Sequence, residues 1–184
     1  MLRADYIMKH ILTKKPAVFL ALSIVLSGLT SGLSFAHVLE IPGKHQLDFV
    51  EFIHVHHGFY GGYAVFGGVA WIFCLMTGLV YGFIFRNKIP RVSLLCFIAG
   101  LIFFTCLSMY FFFLLPYNSQ IADWDRVEIQ GWQRVRNNWE LCHSIIFVFS
   151  TIAFLLFLKA GFQHQKYHHL NASIGAYSAT PNNG

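Results

Sequence analysis

Charge is scarce in this chain: 11% of its 184 residues are Asp, Glu, Lys or Arg, less than half the roughly one quarter carried by an ordinary water-facing domain. That shortage excludes a conventional soluble surface. Cysteine is sparse too, and Cys74, Cys96, Cys106 and Cys142 form no C-x-x-C pair. A four-helix thiol–quinone oxidoreductase needs two neighbouring cysteines to exchange a disulfide, so this pattern argues against one. Buried free thiols are the default reading for all four. There is no glycine-rich nucleotide loop and no internal repeat. The net charge of +5 forms no basic stripe along a polar face, which argues against nucleic-acid binding.

What the chain does have is apolar length: 56% of residues are hydrophobic and 17% aromatic. A helix that crosses a bilayer needs about 20 mostly apolar residues, because about 1.5 Å of rise per residue must cover about 30 Å of hydrocarbon. Four segments qualify, at about 17–40, 59–85, 91–115 and 141–158, which predicts an all-α, polytopic four-helix bundle over residues 1–160. The histidine-rich stretch 161–184 shows no apolar periodicity and is predicted to be a flexible tail. The first segment also resembles a signal peptide, with Ser34-Phe35-Ala36 as a loose cleavage site. Its apolar run is longer than the usual 7–15 residues, and Gly28, Gly32 and Ala36 form a small-residue line suited to helix packing. It is therefore expected to stay as a span.

Lys and Arg set the expected orientation, since basic flanks are retained in the cytoplasm. Arg3, Lys9, Lys14 and Lys15 precede the first span, Arg86, Lys88 and Arg91 separate the second and third, and Lys159 and Lys166 follow the fourth. Nine of the thirteen basic residues thus share one side, while seven of the eight acids lie on the other. Both termini are predicted to be cytoplasmic in an inner (cell) membrane, with the acidic side periplasmic.

The chemistry gathers at that acidic side. His37 and Glu40 lie three residues apart on the first span, and Glu140 and His143 repeat the spacing in reverse on the fourth. Each pair therefore shares a helix face. The two spans run antiparallel, so the pairs should meet at one membrane surface. Ionisable groups near a membrane core are costly and usually pair or serve function. Four readings stay open for this cluster. It can be a structural network, with Glu40 on Lys44 and Glu140 on Arg136. It can be a proton-handling site for an aromatic substrate. Glu-x-x-His spacing suits a carboxylate-bridged metal pair, but the ligand count is short. Haem between His37 and His143 is the fourth. His45, His54, His56 and His57 are expected to be solvated in the first external loop. The second, Tyr117 to Asn138, is expected to hold Trp124 and Trp132, with Trp139 nearby, as headgroup-level anchors or as pocket walls.

The segments Ala36-His37-Val38-Leu39-Glu40-Ile41-Pro42-Gly43-Lys44, Tyr60, Pro116-Tyr117-Asn118 and Trp124 are followed by Trp132-Gln133-Arg134-Val135-Arg136-Asn137-Asn138-Trp139-Glu140-Leu141-Cys142-His143. Together they resemble the anthrone oxygenase family of small four-helix membrane proteins, over about residues 20–159. The resemblance implies an oxidoreductase that oxygenates an activated phenolic or polyketide-like aromatic with dioxygen and no cofactor. Carried over, it marks His37, Glu40, Arg136, Glu140 and His143 as catalytic and Lys44, Tyr60, Asn118, Trp132 and Trp139 as substrate-binding. His143 or His37 would be the base, and Arg136 or Lys44 the anion stabiliser. The segment His56-His57-Gly58-Phe59 departs from the family, where a glutamine-containing approach to the tyrosine is expected. The alternative is a non-enzymatic membrane protein that binds a lipid, a small ligand or a partner, or a metal- or haem-binding redox protein.

Overall fold

The structure, a computed structural model, describes residues 2–124 and 129–178. Within them short turns join helices: α1 (Leu2–Lys44), α2 (Phe49–Phe59), α3 (Gly61–Ile84), α4 (Pro90–Met109), a π-helical turn (Tyr110–Leu114), α5 (Leu115–Ala122) and α6 (Trp132–Ser178). Four stretches are long and apolar enough to cross a membrane, namely Pro16–Lys44, Gly61–Ile84, Pro90–Ala122 and Trp132–Ser173, with mean hydropathy of 1.9 to 2.4. The protein is a polytopic membrane helical bundle. α1 packs on α3, α3 on α4 and α4 on α6, and α6 closes the ring against α1.

The bundle is apolar outside and partly polar inside, as lipid requires. On α1, Val18, Val25, Leu29 and Leu39 are exposed, whereas Leu20, Ser23, Ser27, Thr30, Ser34, His37 and Lys44 are buried. Leu20 to His37 in that buried set alternate in steps of three and four, the period of a helix–helix seam. Lipid gives helices no hydrophobic reason to associate, so small and hydroxylated side chains do the joining. Ser31 and Thr151 hydroxyls lie 2.7 Å apart across the α1–α6 contact, and the Ser93 hydroxyl of α4 donates to the Gly82 carbonyl of α3. The small-residue line expected on α1 is only partly a packing face. A Cβ on Gly28 would sit 3.2 Å from the Phe154 ring, but one on Gly32 would meet nothing within 4 Å. The closest helix approach is instead α3 on α4, where a Cβ on Gly78 would fall 2.7 Å from the Cys96 carbonyl and the Gly100 Cα.

Three expected loops are helix instead. The first external loop folds as α2, because Asp48 and Glu51 form a reciprocal capping box and Phe49, Phe52, Ile53 and His56 form one buried stripe. The third span does not stop at Pro116. Proline lacks an N–H and crowds the preceding turn, and the π-helical turn, whose Leu115 N–H reaches Tyr110 O, absorbs the misfit so that α5 continues to Ala122. α6 begins at Trp132 rather than near Leu141, just after Gly131, whose φ of +82° suits glycine. It also runs to Ser178, past the irregular tail expected from residue 161. No proline follows Pro116 until Pro181, and a nucleated helix extends through residues of moderate propensity. Asp125, Arg126 and Glu128, and residues 179–184, lie outside the described residues.

Candidate active site

Starting α6 at Trp132 puts Trp132, Arg136, Trp139 and His143 on one helical face, and α1 brings His37, Glu40 and Lys44 against it. The His37 and His143 rings stack with centroids 4.0 Å apart, and Trp139 meets both edge-on, at 5.3 and 4.5 Å. Tyr60, at the α2–α3 corner, donates its hydroxyl proton to Glu40 Oε2 over 2.6 Å. The Lys44 ammonium is 2.9 Å from the same oxygen and lies 4.8 Å from the centroids of the Tyr60 and Trp139 rings. Trp139 Nε1–H donates to Asn118 Oδ1 over 2.7 Å, which ties α6 to α5.

These groups cap a cavity of about 480 Å³ that runs down between α1, α3 and the π-helical turn. Its lining includes the polar side chains of His37, His56, His57, His143 and Asn118 and the rings of Tyr60, Tyr63, Trp71, Tyr110 and Trp139. The α3 wall is Gly61, Ala64, Gly67 and Gly68, and a Cβ on any of those three glycines would meet nothing within 4 Å. Missing side chains make the space. Three buried polar atoms on the lining, His37 Nδ1, His56 Nε2 and Trp71 Nε1, have no hydrogen-bond partner among the described residues. Such groups are paired in most folded proteins, and these three belong to side chains that line one cavity.

Of the ten residues singled out from sequence, His37, His143, Tyr60, Asn118 and Trp139 line this cavity. Glu40 and Lys44 stand behind Tyr60, on a separate outer hollow. Arg136, Glu140 and Trp132 do not line it. Arg136 Nη1 donates to the Lys44 carbonyl over 3.2 Å, and its guanidinium lies 5.0 Å from the Trp132 ring, so it clamps the end of α1 to α6. Glu140 pairs with His45 Nε2 at 2.7 Å, not with Arg136 as the helical spacing suggested. Trp132 meets Phe49 edge-on and Phe52 at a tilt, ring centroids 5.6 Å apart in each case, and anchors α2.

Sequence reasoning missed His56, which is buried rather than solvated, together with His57, Tyr63, Trp71 and Tyr110. Two signals were available: the three-and-four spacing of Phe49, Phe52, Ile53, His56 and Tyr60, and that of Gly61, Ala64, Gly67/Gly68 and Trp71. His54 is exposed as expected. Among the described residues no three His, Cys, Asp or Glu side chains converge as a metal site, and all four cysteines are unpaired.

Burial pushes the His56 imidazole down to about 4, with the charges of His57 and Lys44 adding to the effect and the Asn118 side chain opposing it. The ring is therefore neutral in the folded protein at neutral pH. Burial and the hydrogen bond to Glu40 push the Tyr60 phenol well above its ordinary value, so it stays a donor. His56 fixes the sign of a pH effect. Between pH 6.5 and about 4 the unfolded chain binds a proton there that the folded chain refuses, so stability falls as pH drops through this window. The loss is about 2 kcal/mol once residual solvent contact is discounted. Thermal unfolding in detergent at pH 7.5 and 4.5 should show it, and His56→Gln should flatten that part of the difference. An unchanged pH dependence in the variant would remove His56 as its source.

Compared with protein-family models, curated proteins and solved structures, the chain matches none.

Proposed function

We propose that this protein is a membrane oxygenase of flat phenolic or polyketide-like aromatics, with its site at the periplasmic face of an inner membrane and its basic end in the cytoplasm. The observation that carries the reading is the aromatic-walled cavity lined by the stacked His37 and His143 rings and by neutral His56. A neutral imidazole can accept a proton from a bound acid. The likeness to anthrone oxygenases supplies the reaction class, and the asymmetry of Lys and Arg supports the orientation.

In this reading an imidazole of the His37–His143 stack removes a proton from an activated CH₂ group of the substrate. The resulting carbanion is electron-rich enough to combine with dioxygen, forming a carbon–oxygen bond and a hydroperoxide once the proton returns. Loss of water, with the second hydrogen of the same carbon, leaves a carbonyl. One O₂ is consumed, one oxygen atom stays on carbon and the other leaves as water. Lys44 favours the anion through the Tyr60 and Trp139 rings that separate it from the cavity, where low dielectric lengthens the reach of its charge. Arg136, committed to the Lys44 carbonyl, positions α1 instead of touching substrate.

Purified protein in detergent, treated with a metal chelator and given anthrone, is expected to take up one O₂ per anthrone oxidised, above the rate in buffer alone. Tight binding of anthrone without oxygen uptake would replace the oxygenase with a non-enzymatic ligand carrier. Neither binding nor uptake would end both readings.

A further inference from the structure

The opposite end of the bundle holds a second hollow that the oxygenase reading does not use. It is a groove of about 630 Å³ between α1 and α6. Its floor is apolar, with Leu20 and Ile24 from α1 facing Leu158 and Phe162 from α6, and its outer rim carries His164, Gln165, His168 and His169. The two helices are in antiparallel register there, since a Cβ on Gly161 would lie 2.8 Å from Ile24 Cδ1. Ile24 is thus level with Gly161, and one to two turns outward Ala17 is level with His168. The apolar stretch of α1 begins at Pro16, so the imidazole rim sits where a bilayer changes from acyl chains to headgroups. His164 and His168 approach each other with Nε2 atoms 3.1 Å apart, one ring donating to the other.

The described charge at this rim is basic. Exposed Lys166 is one turn from both Phe162 and His169 on α6. Of the eight acids in the chain, only Asp5 belongs to this end. An apolar slot between two spans, opening at headgroup depth onto imidazoles and a lysine, is complementary to one kind of molecule: an acyl chain bearing an anion.

We infer that this groove holds an anionic phospholipid, its acyl chain lying along Leu20, Ile24, Leu158 and Phe162 and its phosphate meeting His168, His169 and Lys166. The lipid seals α1 to α6 at the end of the bundle away from the cavity. Basic residues near a membrane surface each favour an anionic headgroup by about fivefold in affinity, and the groove adds a fixed place for one chain.

Native mass spectrometry of the full-length protein released from detergent tests this with dioleoyl phosphatidylglycerol, dioleoyl phosphatidylcholine and inorganic phosphate. One phosphatidylglycerol per chain should survive activation that strips phosphatidylcholine, and phosphate alone should not displace it. Ala21 is exposed and lines the groove, so Ala21→Phe fills it without disturbing the core. That variant should lose the retained lipid, and Lys166→Gln should weaken retention by about fivefold. Both should keep the wild-type melting temperature in detergent lacking phospholipid. Equal retention of the two lipids would overturn the inference, as would wild-type retention in both variants or displacement by phosphate alone.

Discussion

Oxygen uptake with anthrone, per folded molecule, is expected to fall by about a hundredfold or more in His37→Ala, and by a similar factor in His143→Ala, each variant also melting lower because its ring packs on Trp139 and on the other imidazole. The size follows from general base catalysis, which contributes about 10² to 10⁴. The pairing follows from geometry: the two rings stack at 4.0 Å, so a proton taken by one is felt by the other. The double variant should be little worse than either single, because residues that act as one unit are not additive. Glu40→Gln offers an internal comparison. Glu40 Oε2 is 3.9 Å from His37 Nδ1, too far for a hydrogen bond, and the carboxylate is 41% exposed. Its loss should slow turnover less than loss of either ring. Unaltered uptake in both histidine variants would remove the imidazole stack from the chemistry.

Gly78→Leu is expected to give the largest loss of stability, about 3 kcal/mol or more, at or above the upper end for overpacking. At this point backbone meets backbone: the added Cβ would lie 2.7 Å from the Cys96 carbonyl and the Gly100 Cα, and no rotamer change relieves a main-chain contact. α3 and α4 must separate along their closest approach. Gly32→Ala is the matched control, since its Cβ meets nothing within 4 Å and alanine is the better helix residue. Unfolding of the two variants in mixed micelles should place them on opposite sides of wild type, or Gly32→Ala level with it. A Gly78→Leu protein as stable as the parent would show that the α3–α4 contact does not hold the bundle.

The four spans were legible because hydropathy over some twenty residues is a coarse signal that survives local irregularity. The juxtaposition of His37 with His143 was legible too, from three-residue spacing on two antiparallel helices. The shape of the site was not. α2 was hidden because His54, His56 and His57 outweigh Phe49, Phe52 and Ile53 in an eye tuned to polarity, although the stripe is regular. The start of α6 was hidden because Gln133, Arg134, Arg136, Asn137 and Asn138 look like a loop, whereas every third or fourth residue points inward. The cavity left the faintest trace. Its α3 wall consists of Gly61, Ala64, Gly67 and Gly68, and empty space beside small residues has no hydropathy of its own. Arg136 and Glu140 show the limit of carrying roles along a helix face: correct spacing brought them to the right end of the bundle, but their partners, the Lys44 carbonyl and His45, come from the residues that end and follow α1.

The hydroxyl seam of α1 bears on how the molecule is made. Ser27, Thr30 and Ser34 donate to the carbonyls of Ile24, Ser27 and Thr30 in their own helix, so these side chains need no partner from elsewhere before entering lipid. α1 can therefore wait in the bilayer, these hydroxyls satisfied, until α6 follows it out of the ribosome and covers them. His37 has no such bond to its own helix; its ring stacks on His143 of α6 instead, so a side chain that lines the cavity also joins the earlier helix to the later one.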